Sequence, residues 1–306
     1  MIKQKGFTLL ELLVVITLLA ILAVGGLVAY DGVGDNAEAS AAAFNAGTLD
    51  RAVRQYRAVT SAYPDQWDNL SNPQVASAVG GADFLPAGTR ATFGALNLAG
   101  TSVGFRSAFI NIVDDVWGME EIQHITADVD VSLVAPGKAH NEGSNPSALE
   151  TTYADIGAGG NQYSFISILP TSDGGAACQV DGQAASTTFS GLGASLAMAS
   201  RQNAINDALS TGRCHFVLAL GFGGDAASST SRGAVQIPAA PTYTSNDVNP
   251  AQNYGRYIGL FHLGRTDGTA VNVTTADLFP RPKLIGFVDT VGNTVDINIA
   301  ASRDPS

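Results

Sequence analysis

Apolar residues are distributed along this chain in three regimes. From Phe7 to Tyr30 they are nearly continuous, and Glu11 is the one charge in that stretch. A helix of this length runs about 36 Å at about 1.5 Å per residue, enough to cross a hydrocarbon core about 30 Å thick. From Ala37 to about Ala62 apolar residues recur at steps of three and four: Phe44, Leu49, Val53, Tyr56, then Val59 or Tyr63. Asp50, Arg51, Arg54 and Arg57 face elsewhere, so this stretch predicts an amphipathic helix with one side in a globular core. Asp35 or Asn36 is positioned to cap it, and Pro64 stops it.

Beyond Pro64 the pattern breaks into short runs. Phe105–Val116 reads as a strand or a short helix. Ile125–Val134 alternates Val129, Val131 and Leu133 with Asp128, Asp130 and Ser132, the period of a half-exposed strand. Tyr163–Leu169 predicts a buried strand, Cys214–Phe222 a central one, and Tyr254–Leu263 another. Lys283–Thr290, a turn at Val291-Gly292-Asn293, and Thr294–Ala300 predict a hairpin. Ser195–Leu209 reads as a helix stopped by Gly212. The Gly-, Asn- and Ser-rich stretches 138–160, 171–190 and 223–233 read as loops. The fold class expected is α+β, a long N-terminal helix packed on a mostly antiparallel β-sheet.

Three features change the reading of the first stretch. Lys3 and Lys5 precede it, which orients the N-terminus to the cytoplasm and the body outward. Gly25, Gly26, Gly32 and Gly34 crowd its end, and each costs a helix interior about 1 kcal/mol against alanine, so a flexible joint is expected there. Glu11 is costly in a membrane span and needs a partner, yet no Lys, Arg or His lies between residues 6 and 50. If the chain is cut after Gly6, the new amine of Phe7 is a cation that can pair with Glu11 of a staggered neighbouring chain.

The segment Gly6-Phe7-Thr8-Leu9-Leu10-Glu11-Leu12-Leu13-Val14-Val15-Ile16 resembles the prepilin leader and N-terminal helix of type IV pilins and type II secretion pseudopilins. The resemblance implies cleavage between Gly6 and Phe7 by a prepilin peptidase, N-methylation of Phe7, and assembly contacts between Glu11 and the Phe7 amine of a neighbour. It also implies a pilin-like fold, divided into a leader (1–6), a membrane and filament-core helix (7–30), an amphipathic second half (31–63) and a β-rich head (64–306). Tyr63-Pro64-Asp65-Gln66-Trp67-Asp68-Asn69-Leu70 resembles the Tyr-Pro and short-helix segment that follows the long helix in many pseudopilins. Many pilins carry a proline in the helix, whereas this chain has none before Pro64.

Charge and composition narrow the body's chemistry. Without Lys3 and Lys5 the 16 basic residues fall to 14, against 27 acidic ones, a balance that argues against nucleic acid as a ligand. Cys178 and Cys214 are the two cysteines, and in an oxidising compartment they are expected to pair. The glycine runs at 157–160 and 221–224 match no phosphate loop, and no Gly-x-Ser-x-Gly elbow occurs, so no enzyme is expected. No cofactor is expected either. Calcium is the alternative, with oxygen ligands from Asp114, Asp115, Glu120 and Glu121 or from Asp128 and Asp130, but such acidic pairs are usually solvated. Asn69-Leu70-Ser71 and Asn272-Val273-Thr274 match the glycosylation sequon.

The function expected is that of a structural filament subunit. Its partners are copies of itself or other pilin-like subunits, the prepilin peptidase and the inner-membrane assembly machinery. It spans the inner membrane once before assembly and then joins an extracellular or periplasmic filament at the cell surface. The large body points to a specialised subunit, and Glu11 points to one with a neighbour above it. The alternative is a surface adhesion module that uses residues 7–30 only as an anchor. A plain signal anchor has no need of Glu11. A secretory signal cut near Ala23-Val24-Gly25 conflicts with the carboxylate and with the length of the apolar run.

Overall fold

A single helix, α1 (Leu9–Thr60), runs 52 residues, about 78 Å at 1.5 Å per residue. The computed structural model describes residues 8–70, 94–125, 148–152, 164–168, 178–184, 209, 213–245, 248, 254–268 and 270–303. The first part of α1, Leu9–Gly26, is long and apolar enough to cross a membrane, and none of it is buried by the rest of the protein. The second part buries Ala42, Ala46, Leu49 and Val53, with Tyr56 packed against the same core. Leu49 and Val53 lie on the expected stripe, whereas Phe44 is 68% exposed and Val59 is 55% exposed. Alanines open the buried stripe because they let the sheet and the C-terminal helix approach closely. Phe44 sits two positions from Ala42 and from Ala46, on the opposite side of the helix.

One expectation about α1 is corrected: Asp35 and Asn36 lie inside the helix rather than at a second cap, and the helix is continuous across Gly25, Gly26, Gly32 and Gly34. Glycine lowers helix propensity but keeps its amide, so without a proline the ladder is not interrupted. The helix closes at Ser61, which is left-handed (φ 64) and donates its N–H to the Arg57 carbonyl at 2.8 Å.

The head is built on one large sheet. Its strands are β1 (Trp67–Asp68), β2 (Gly94–Asn97), β3 (Glu121–Ile125), β4 (Ala148–Thr152), β5 (Ser164–Ile168), β8 (His215–Gly221), β9 (Ile258–Arg265) and β11 (Leu278–Val288). The main path is β11-β9-β8-β1-β3-β4, and β5, carrying β2, joins β8 beside β1. All pairings in it are antiparallel except β1 with β3. The chain is thus α+β, consistent with a pilin-like fold. A second, small sheet holds β6 (Gln179–Val180), β7 (Gln183–Ala184) and β10 (Asn272–Val273). The Cys178–Cys214 disulfide, with Cα atoms 5.6 Å apart, ties the start of β6 to the residue before β8. Short helices α2 (Val103–Asn111), α3 (Gly224–Ser229) and α4 (Val295–Ala301) complete the head, α2 running into a π turn over Ile112–Val116.

Several sequence readings fail for definite reasons. Trp67–Asp68 is a central strand, not part of a short helix, because two-residue pairing leaves no periodicity to read. β4, the β6–β7 hairpin and α3 lie in stretches read as loops, where glycine and serine mask short elements. Residues 294–300 are helical rather than the second arm of a hairpin. Thr294 caps α4 by accepting from the Ile297 amide, and Asp289 accepts from the Val291 and Asn293 amides and from Asn298 Nδ2. Strict alternation in Val295–Ala300 suits a strand, but the cap and the apolar flank of α1 decide for a helix. The expected strand 125–134, apart from Ile125 at the end of β3, and the expected helix 195–209, apart from buried Leu209, fall outside the described residues.

Aromatic rings hold α1 to the sheet. Trp67 meets Phe222 and Phe261 edge-on at 5.0 and 5.1 Å and stacks on Phe287 at 6.0 Å. Its Nε1 donates to the Pro64 carbonyl at 2.7 Å, and Trp117 Nε1 donates to the Pro282 carbonyl at 3.0 Å. Tyr63, just past α1, donates its amide to the Trp117 carbonyl at 2.7 Å, and its hydroxyl accepts from the Leu284 amide at 2.8 Å. Arg57 covers the Tyr63 ring at 4.2 Å. Gly259 is where β9 lies against Trp67. A Cβ there would meet Trp67 Cζ3 at 2.7 Å, and the enclosed indole has no room to yield. Gly259→Ala should therefore destabilise the head by about 1–3 kcal/mol. The urea midpoint measures this, and an unchanged midpoint contradicts the packing account.

Asp68, beside Trp67, is buried and accepts from the Tyr254 hydroxyl at 2.6 Å. Burial, with Asp225 nearby, pushes its carboxyl up to about 8. An unfolded aspartate titrates near 3.9, so between about pH 4 and 8 the folded state holds a proton that the unfolded state releases. Asp68's contribution to stability is therefore complete below about pH 4 and is lost as pH rises towards 8. His262, pushed down to about 3 mainly by burial, acts with the opposite sign below about pH 6.5. The clean window is thus about pH 6.5 to 8. Over it, the unfolding free energy of the unaltered protein should fall relative to Asp68→Asn, which cannot titrate. Parallel curves for the two proteins contradict this assignment.

Candidate functional site: the exposed N-terminal helix

The start of α1 is fixed by a capping box. Thr8 is the N-cap, with extended backbone (φ −78, ψ 150), and its Oγ1 accepts from the Glu11 amide at 3.3 Å. Glu11 reaches back, and its Oε2 accepts from the Thr8 amide at 2.9 Å and from the Thr8 hydroxyl at 3.1 Å. Two of the four orphan amides of a helix start are thereby satisfied within the segment. The expectation that Glu11 has no partner inside its own segment is corrected: Thr8 is that partner. Thr8-x-x-Glu11 before an apolar run is the sequence signature of a capping box, and Thr8 is the residue the sequence reading passed over.

Both bonds to Glu11 end on Oε2. Among the described residues, Oε1 takes no hydrogen bond, so one carboxylate oxygen faces away from the cap. Gly6 and Phe7 lie outside the described residues. Farther along, Thr17 is silenced within its own turn, its hydroxyl donating to the Leu13 and Val14 carbonyls at 3.1 and 2.9 Å. After Glu11, then, the helix presents only aliphatic side chains and a self-satisfied hydroxyl as far as Gly26. Leu9, Leu10, Leu12, Leu13, Ile16 and Leu19 are all more than half exposed. An apolar surface of that extent on a protein marks a membrane contact or a partner contact.

The remaining candidate residues divide between structure and surface. Cys178 and Cys214 are joined as a disulfide. Asp115 accepts from Asn111 Nδ2 at 2.5 Å and Glu121 from Gln66 Nε2 at 3.1 Å. Among the described residues, no three His, Cys, Asp or Glu side chains converge closely enough to hold a metal ion. Asp128 and Asp130 lie outside the described residues. Asp68, whose carboxyl burial pushes up, is enclosed in the core against Tyr254 and serves packing.

Residues 1–27 match the family model described as the prokaryotic N-terminal methylation motif. No curated protein and no solved structure matches the chain. The matched residues contain the Thr8–Glu11 cap and the whole uncovered apolar run. This signal points to a structural, pilin-like protein rather than to an enzyme. The chain thus carries at its N-terminus the prepilin-type signal of type IV pilins and pseudopilins.

Proposed function

We propose that the protein is a structural subunit of a type IV pilus-like filament, cleaved after Gly6, N-methylated at Phe7 and polymerised through α1. One observation carries this reading: the methylation motif at 1–27 heads an apolar half-helix that nothing in its own chain covers. In the membrane, lipid covers that surface. In a filament, the same residues of neighbouring copies, or of other pilin-like subunits, replace the lipid. Prepilin peptidase and the inner-membrane assembly machinery are the partners of the two steps. The protein spans the inner membrane first and is then drawn into a filament outside it.

Residues 1–6 are the leader in this reading, 7–30 the membrane and filament-core segment, 31–63 the half of the helix that carries the head, and 64–306 the head itself. Gly25, Gly26, Gly32 and Gly34, each costing a helix interior about 1 kcal/mol against alanine, mark where α1 would bend on packing. The reading needs neither catalytic chemistry nor a cofactor. Assembly pairs Glu11 Oε1 with the Phe7 amine of the neighbouring subunit, while Oε2 stays on the Thr8 cap.

Two substitutions separate the charge of Glu11 from its capping role. Glu11→Val removes both, and it should insert in the membrane yet give little filament. Glu11→Gln keeps a side-chain oxygen for the Thr8 amide but removes the charge. It should fail in assembly as Glu11→Val does, by the yield of sheared filament at equal membrane protein. Normal filament yield from Glu11→Gln sinks the charge pairing, and normal yield from both variants sinks any role of Glu11 in assembly.

A further inference from the structure

The head carries a cationic cleft that the filament reading does not use. A cavity of about 630 Å³ is lined by His262, Arg265, Phe279, Pro280, Arg281 and Lys283. That volume lies within the range of small-molecule sites. Three of its six described lining residues are Arg or Lys, in a chain with 16 basic residues against 27 acidic ones. None of those six is acidic. Among the described residues, none of Arg265, Arg281 and Lys283 forms an ion pair.

The sheet builds this cleft on the side away from the Trp67 core. Phe261 and Leu263 of β9 belong to the core cluster, so His262 between them faces the other way. Lys283 lies opposite His262 in the β9–β11 register. Pro282 and Leu284 are buried, with the Pro282 carbonyl held by Trp117, so Arg281 and Lys283 alternate outward beside His262. Arg265 ends β9 opposite His215. The register breaks between Leu278 and Lys283, where Pro280 and Pro282 have no amide to donate. Among the described residues β11 is the edge of the sheet, and no described strand lies beside this irregular stretch on its outer side.

Rings form the floor and wall. His262 Nε2 and His215 Nδ1 are 3.1 Å apart and share a hydrogen bond, with both rings buried. The ring of Phe279 stands perpendicular to His262 at 4.9 Å. Pro280 and the His262–Phe279 pair leave few rotamers to freeze on binding. The arrangement is an apolar, ring-lined wall with two guanidinium groups and one ammonium around it. Guanidinium forks match carboxylates, and aromatic and proline faces match the flat side of a ring.

We infer that this cleft is a binding site for a small organic anion that carries a carboxylate on a ring. The carboxylate is held by Arg265, Arg281 and Lys283, and the ring lies against Phe279 and Pro280. A uronic acid and an aromatic acid share this chemistry. A bare inorganic anion lacks the ring, and a neutral sugar lacks the charge.

The test is calorimetric titration of the full-length protein in non-ionic detergent with galacturonate, benzoate, inorganic phosphate and galactose. Galacturonate or benzoate, or both, should bind saturably and more tightly than phosphate and galactose. Binding of galacturonate alone assigns the site to acidic sugars, and of benzoate alone to aromatic acids. The double variant Arg281→Ala/Lys283→Ala should weaken that binding at least about tenfold. Both side chains are exposed, so the fold should persist, checked by an unchanged urea midpoint. Arg51→Ala/Arg303→Ala removes the same charge elsewhere on the exposed surface and should leave affinity unchanged. The proposal is overturned by any of four results: no saturable binding of either ring anion, phosphate or galactose binding as tightly, affinity unaffected by the cleft variant, or an equal loss in the control variant. None of these bears on α1, so filament assembly can fail or succeed independently.

Discussion

An 18-residue apolar stretch of helix, Leu9–Gly26, has no cover from its own chain, and the rest of the structure is arranged around that fact. At about 25 cal/mol per Å² of apolar surface, such a helix is strongly unfavourable in water and must be held by lipid or by other helices. The protein does not bend α1 back onto the head to shield it. It instead ties up the polar groups of the stretch locally, Thr17 bonding its own turn and Glu11 Oε2 the Thr8 cap, and leaves one Glu11 oxygen over. A surface so prepared tolerates a bilayer and a bundle of like helices equally well, which is what a subunit passing from one to the other requires.

The head's task is then to hold the far half of α1 rigidly. Small residues, Ala42, Ala43 and Ala46, bring the helix close, and Leu49 and Val53 fill the interior. Tyr63 and Trp117 tie the helix end to β11 through their side chains, the Tyr63 hydroxyl accepting from the Leu284 amide and the Trp117 indole donating to the Pro282 carbonyl. That same edge carries the cationic cleft on its outer side. The core that holds α1 and the cleft thus lie on opposite faces of β9 and β11.

Much of this was legible in the sequence, and the failures have physical causes. Continuous hydrophobicity located the uncovered half of α1, and the three-and-four spacing located the buried half, although Phe44 was given the place that Ala42 and Ala46 hold. Long apolar runs identified β8 and β9, where burial on both faces leaves no ambiguity. Two-residue strands such as Trp67–Asp68 could not be seen, because their pairing depends on partners 55 or more positions away. α4 was misread because Val295–Ala300 alternates like a strand, while the deciding contacts come from Asp289 and α1. The Thr8–Glu11 cap was fully visible as a motif, but attention to charge alone hid it. The cleft as a whole was not legible, since His262 and Arg265 join the Arg281 and Lys283 pair only through the register of β9 with β11.

The central claim is that the N-terminus is processed for filament entry, and the mass of the mature N-terminal peptide tests it most directly. Purified from its native membrane or from sheared surface material, the protein should begin at Phe7 and carry one added methyl group on that amine. A chain that retains Met1, or one cut near residue 25, contradicts the account, because either leaves α1 without the charged amine that Glu11 is proposed to meet.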